Sequence, residues 1–455
     1  MSGGFANRRP SRVFFVTVVI GWLGSVSAFC WLFSTGDSRL KLEGWDEQHY
    51  YAYARSLAID GDLDFSNEYE YFYGNSAAGD SPNLSVPPTP TGLRPNRYPA
   101  GMGLLLAPLV WLAHGLTWTV NLFCKYPMPY DGWAPTYLLS YCLGSITLAW
   151  FGITLTWQTL SRMVGFPKAT IAVFSMFFGT NLFYYLVFQP GMAHAVSTGL
   201  AGCYMYVLVR YEEKHIVPRA VLLGLLNGIM GAVRYTDALI GLMFGVYELL
   251  PVLFFAEKRQ AKNLLQIIKL GLYYLGGFLT GIAPQVLVWK TLTGSFLANT
   301  YAGYSFHWFQ PAVIQSLFST RNSLFFYSPL VLWALWGMLR GMFGQYMRLF
   351  VSGLFFFVAL VYVNMAWSCW WFGASFGARA MLSCWPIWTA GLAWQLKTGI
   401  TSEKPYLQPK TWATLGIIVL CISWTLLLAM LFHFCRISHE EGFTWHEFMR
   451  AVCII

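Results

Sequence analysis

The sequence predicts an all-α integral membrane protein, a bundle of about eleven transmembrane helices with juxtamembrane helices in its first outer loop. Three observations carry that expectation. Of 455 residues, 56% are hydrophobic and 18% aromatic while only 11% are charged, far from the balance of a soluble domain. Apolar windows of about 20 residues, the length a helix needs to cross the hydrocarbon, recur along almost the whole chain. The basic residues behind the formal charge of +9 sit in the short breaks between those windows. Arg162 with Lys168, Arg210 with Lys214 and Arg219, Lys258 with Arg259 and Lys262, Arg340 with Arg348, and Lys397 with Lys404 and Lys410 cluster as cytoplasmic loops require. That placement explains the charge without a nucleic-acid partner.

The first span, 13–33, follows Arg8, Arg9 and Arg12; its length and the lack of a small-x-small site before Asp37 predict a retained anchor, not a cleaved signal. Further apolar segments are 100–120, 134–157, 169–188, 192–210, 219–234, 236–256, 266–290, 324–340, 347–366, 379–397 and 411–434. If all of them crossed, the basic loops 162–168 and 210–219 would both fall outside. Parity is restored if 100–120 lies at, or dips into, the outer leaflet, and Pro99, Gly101, Gly103, Pro108 and His114 make it the segment to set aside. The expected organisation is one polytopic domain over 1–455, N-terminus inside, with a first outer loop at 36–133 and a short outer tail at 436–455. No internal repeat is visible.

Chemistry is expected on the outer face. Asp46-Glu47 opens WDEQHYYAYARSLAIDGDLDFSNEYE just past the first span, as a solvated loop start or as an acidic pair beside the lipid boundary. Tyr50, Tyr53, Ala54 and Leu57 repeat at helical spacing, which predicts an amphipathic helix with an aromatic face in the interface. Residues 81–92, SPNLSVPPTPTG, read as an extended connection containing the sequon Asn83-Leu84-Ser85. Asp60, Asp62 and Asp64 alternate like the start of a calcium loop, but Phe65 stands where that loop needs glycine, so a capped turn is expected and no metal site.

Arg97, Arg234, Arg321 and Arg379 each lie at an outer span boundary, where no topogenic rule calls for them. A guanidinium there binds a phosphate headgroup in bidentate fashion, or it snorkels or pairs with a carboxylate such as Asp237. His194 opens a span and either contacts substrate or caps a helix. The tryptophans of WSCWWFGASFGAR, 367–379, either stack on sugar faces or belong to the interfacial belt. The nine cysteines read as small core residues; Cys369 and Cys384 flank a loop and could be bridged.

In order along the chain, WDEQHYYAYARSL, RYPAG, SLFSTRNSLFFYSPL and WWFGASFGARAML resemble the polytopic GT-C glycosyltransferases, near the protein O-mannosyltransferase and aminoarabinose transferase group. The likeness runs from Trp45 to Leu382. It implies a polyprenyl-phosphate-linked sugar donor, an essential Asp in the first outer loop matching Asp46 with Glu47 beside it, and juxtamembrane helices in that loop. It also implies that Arg97, next to Tyr98, contacts the donor phosphate. The soluble C-terminal domain of some relatives has no counterpart here, which leaves the acceptor open.

Sugar transfer to a hydroxyl acceptor needs one general base, and because the leaving group is already a phosphate, cations suffice in place of a second acid. The expected site is therefore Asp46 and Glu47 as catalytic groups, with Arg97, Tyr98, His194, Arg234, Asp237, Arg321, Trp371 and Arg379 as substrate-binding residues. The expected reaction inverts the anomeric carbon at the non-cytoplasmic face of a bacterial inner membrane or its equivalent, without a cofactor. The rivals are a lipid or glycan transporter or flippase, a ligase of whole lipid-linked glycans, and a non-catalytic assembly subunit. Transporters place charge at mid-membrane and often repeat their halves, whereas here charge collects at one face.

Overall fold

A backbone removed from water must satisfy its hydrogen bonds within its own segment, and each apolar run of this sequence accordingly folds as helix. The computed structural model describes residues 12–35, 42, 45–74, 87–210, 216–255, 260–301, 303–399, 409–438 and 441–453. The Asn83 sequon, residues 81–86 of the proline-rich connection and the basic residues Arg8, Arg9, Lys214, Lys258, Arg259 and Lys404 lie outside the described residues.

The helices are α1 (Arg12–Ser34), α2 (Trp45–Arg55), α3 (Ser66–Tyr73), α4 (Gly101–Asn121), α5 (Pro135–Val164) and α6 (Phe166–Phe178). They continue with α7 (Leu182–Val187), α8 (Ala193–Arg210), α9 (Ile216–Val233), α10 (Gly241–Phe255), α11 (Gln260–Thr293) and α12 (Val313–Phe318). The last are α13 (Leu324–Tyr327), α14 (Leu330–Gly341), α15 (Met347–Ala366), α16 (Trp385–Gly399), α17 (Pro409–His433) and α18 (Trp445–Cys453). Among the described residues, 7 of these helices are long and apolar enough to cross a membrane, and the isolated bridge Phe306–Trp367 is the only β pairing. Large apolar side chains point outward along α1 (Val13, Ile20), α11 (Leu265, Leu272) and α17 (Val419, Leu420), a surface that only lipid covers without cost. The chain is an all-helical, multi-pass membrane protein.

The predicted segment 169–188 is not one helix. It breaks at Gly179–Asn181, where the Asn181 amide turns away to donate to the Phe376 carbonyl at 3.2 Å, tying the break to the loop after α15. The segment 379–397 likewise begins as a 3-10 turn, Arg379–Cys384, before α16. Close helix packing depends on missing side chains: a Cβ on Gly152 of α5 would lie 1.9 Å from the Gly199 carbonyl oxygen of α8, so the two backbones touch. Cys369 and Cys384 are both free thiols.

Two elements between α1 and α5 matter for the site. α2 does form, but it is not a surface helix with one aromatic face: residues 49–55 are all buried, so protein rather than the interface surrounds it. α4 runs antiparallel to the first part of α5, with Leu109 against Gly144, His114 hydrogen-bonded to Tyr137 at 2.7 Å and Thr117 to Thr136 at 2.5 Å. Its first residue, Gly101, abuts Ala232 and Val233 at the end of α9. α4 is itself among the helices long and apolar enough to cross a membrane. The Asp60–Asp64 segment is a turn whose carboxylates bond locally: Asp62 accepts from Ser56 and from the Asp64 amide, and Asp64 accepts from Ser66.

Candidate active site

Asp46 is the second residue of α2, where the free amides of a helix N-terminus favour a carboxylate. Its Oδ1 accepts from the Tyr98 hydroxyl at 2.6 Å and its Oδ2 meets Arg379 Nη2 at 2.7 Å. Both partners are held from behind. The Tyr98 amide donates to Asn96 Oδ1 at 3.1 Å, the Asn96 side chain donates back to the His49 carbonyl of α2 at 3.0 Å, and Tyr53 donates to the Tyr98 carbonyl at 3.1 Å. Burial pushes the Tyr98 phenol well above its ordinary range, with Asp46 adding to the rise, so it stays protonated as a donor. Arg379 leaves the 367–378 loop with its Nη2 also donating to the Phe372 carbonyl at 2.7 Å.

These groups stand on the wall of a cavity of about 620 Å³. Arg97, His194 and Arg234 line the same cavity, and Tyr50, Tyr301, Tyr304 and Trp367 give it an aromatic side. Tyr304 and Trp367 are stacked, ring centres 5.4 Å apart and 14° between planes. Arg234 follows α9 in extended conformation and donates to the Ala380 carbonyl at 3.1 Å, with Asp237 3.5 Å away. Asp237 is fully buried behind it and accepts a hydrogen bond from Ser197. His194, 4% exposed, has no partner for Nδ1 among the described residues. Gln285 of α11 accepts from the Ala100 amide at 2.7 Å and Thr300 donates to the Arg97 carbonyl at 2.8 Å, so the Arg97–Ala100 strand of loop is clamped from two sides.

Six of the ten residues singled out from sequence therefore meet at one cavity: Asp46, Arg97, Tyr98, His194, Arg234 and Arg379. The other four stand outside it. Successive helical residues point about 100° apart, so Glu47 faces the protein on the other side of α2, where the absent side chain of Gly191 leaves room for its carboxylate. Asp237 supports Arg234 from behind. Arg321 lies 3.6 Å over the Trp371 ring, and neither residue lines the cavity. Sequence reading did not single out Tyr50, Tyr301, Tyr304, Trp367 or Asn364 as cavity residues; in a chain with 26 tyrosines and 21 tryptophans no local signal separates these from the interfacial belt. Among the described residues, no group of three or more His, Cys, Asp or Glu side chains is placed to hold a metal ion.

No family model and no curated protein sequence matches the chain. Its fold matches solved structures. ArnT from Cupriavidus metallidurans bound to undecaprenyl phosphate superposes with a TM-score of 0.53 at 13% identity, covering 90% of this chain and 63% of that one. The Archaeoglobus fulgidus oligosaccharyltransferase in its apo form superposes with a TM-score of 0.53 at 10% identity, covering 95% and 57%. The chain thus spans less than two thirds of the length of either. The fold of this chain is the one seen in these two structures.

Proposed function

We propose that this protein is a membrane glycosyltransferase that moves a sugar from a polyprenyl-phosphate donor to a hydroxyl acceptor at the non-cytoplasmic face. The observation that carries the reading is the carboxylate of Asp46, held by Tyr98 and Arg379 at the wall of a cavity that also presents Arg97 and Arg234. A base and a set of cations are what this transfer requires. The ArnT structure, which holds undecaprenyl phosphate, supports a lipid-phosphate donor here.

In the proposed reaction Asp46 takes the proton of the acceptor hydroxyl as its oxygen attacks the anomeric carbon. The new C–O bond forms on the face opposite the departing phosphate, which keeps the electron pair of the broken bond, so configuration inverts. Arg97, at the end of the clamped loop segment, and Arg234, backed by Asp237, stabilise the charge that builds on that phosphate. Arg379 pairs with the Asp46 carboxylate and aims it.

Transfer of radiolabelled sugar from a polyprenyl-phosphate donor in proteoliposomes tests the reading. Asp46→Asn should lower turnover by about 10²- to 10⁴-fold, the share a positioned base supplies, while binding of the donor lipid survives. Wild-type turnover in the purified Asn variant would refute the assignment, and labelled lipid that crosses the bilayer without a new glycosidic bond would make the protein a transporter.

A further inference from the structure

Arg379 reaches Asp46 through a hydrogen that shares its nitrogen with a second acceptor, the Phe372 carbonyl at 2.7 Å. Where that carbonyl points decides where the guanidinium sits. Phe372 has a left-handed backbone, φ 56°, which a bulky side chain adopts only when its surroundings impose it. The imposing group is Asn322. This buried residue comes from the Ser319–Ser323 turn, and its amide donates to the carbonyls of Trp371 and Gly373, both at 3.0 Å, on either side of Phe372. Two carbonyl partners require the NH₂ end of the side chain to face the loop, which fixes its orientation. Asn322 is itself left-handed, φ 49°, a conformation asparagine tolerates.

We infer that Asn322 is a positioning residue: its amide pins the two carbonyls flanking Phe372, and so holds Arg379 on the Asp46 carboxylate. The inference rests on Asp46 being the base proposed above. Around Asp46 stand the phenols of Tyr50, Tyr98, Tyr185 and Tyr301 and the cations Arg234 and Arg379. Of these, Arg379 alone depends on the pinned loop. If it is released, the Asp46 carboxylate loses its nearest cation and one of the two groups that aim it.

Two variants separate this role from a merely structural one. Asn322→Asp keeps shape and backbone preference but cannot donate, and Asn322→Gly accepts the left-handed turn without strain but carries no amide. Both should lower kcat by up to about 10²-fold, the cost of misplacing a group by ~1 Å. The donor KM, set by Arg97, should change little. A wild-type kcat in both variants, or a fall in kcat matched by an equal rise in the donor KM, overturns the inference. Should the wild-type protein transfer no sugar, the reading of Asp46 fails by itself. The structure of Asn322→Asp then decides separately: Arg379 displaced from Asp46 supports the pin, and Arg379 unmoved refutes it.

Discussion

Asp46 sits in a site where each carboxylate oxygen has one donor and a free lone pair, so it is held without being blocked. Removing a neutral donor tests that balance more gently than removing the acid. Tyr98→Phe deletes one hydrogen bond to a charged group, worth about 1.5–3 kcal/mol, from the 2.6 Å contact. The carboxylate is then held by Arg379 alone. Transfer should fall about tenfold, the rate equivalent of that bond's lower value; unchanged turnover would detach Tyr98 from the base. Arg97→Ala acts on the donor instead. It should raise the donor KM by about 10- to 100-fold, the worth of one charge-assisted contact, with kcat little changed, and an unaltered donor dependence removes Arg97 from the site. At this scale the sequence was informative where a polar residue stood at a span boundary, as with Asp46, Arg97 and Arg379. It could not say which of two neighbouring acids faces the cavity, because that depends on the rotation of α2. Nor could it find Asn322, whose contribution runs through backbone carbonyls of a loop distant in sequence.

α2 carries Asp46, and its other end is fixed by one cation shared between two acids. Arg55 lies over the Trp133 ring at 4.6 Å and bonds Asp60 at 2.5 Å and Glu68 at 2.6 Å. A single guanidinium cannot neutralise two carboxylates, and the one deprived of water takes up the proton. Glu68 is fully buried while Asp60 reaches solvent, and burial pushes the Glu68 carboxyl up to about 7 from its ordinary 4.5, against the opposing pull of Arg55. The folded state therefore binds more protons than the unfolded chain between those two values. Stability from this group is complete below pH 4.5 and is lost as pH rises through 7, by on the order of 3 kcal/mol. Thermal unfolding in detergent should show that decline, and Glu68→Gln, neutral throughout, should flatten it; an equal slope in the variant would mean that Glu68 is ionised across the window. The same helix is seated by close approach, since a Cβ on Gly103 of α4 would lie 2.5 Å from the Tyr53 Cβ and 2.7 Å from the Tyr50 carbonyl. Gly103→Val should displace α2, lower stability by about 1–3 kcal/mol and reduce transfer with it. Helical spacing in the sequence did announce α2. Its burial was not legible, because the covering residues, Tyr98, Trp133 and Tyr141, belong to segments whose positions depend on the rest of the fold.

At the scale of the whole molecule, membrane class and approximate spans were legible because lipid imposes length and composition on every crossing helix. The cavity was not, because its walls come from α2, the loop before α4, the starts of α8 and the turn after α9, α11 and the loops around 301 and 367, which only the assembled bundle brings together. The proposed function requires that cavity on the non-cytoplasmic side, and two native cysteines can report the orientation. Cys124 is exposed in the loop after α4, and Cys435 is exposed just beyond α17. The His433 ring near that end of α17 lies 4.6 Å from Phe188, beside the turn leading into His194, so Cys435 shares the cavity's end of the bundle. His114, late in α4, bonds Tyr137 at the start of α5, which places Cys124 at that end as well. A membrane-impermeant maleimide added to intact cells should therefore label both, and Cys124→Ser with Cys435→Ser should abolish that labelling. Cys369 lines the cavity and is half-buried, so it should react more slowly and be protected by polyprenyl phosphate. Labelling of Cys124 and Cys435 only after permeabilisation would place Asp46 in the cytosol, where a lipid-phosphate sugar presented on the outer leaflet cannot reach it.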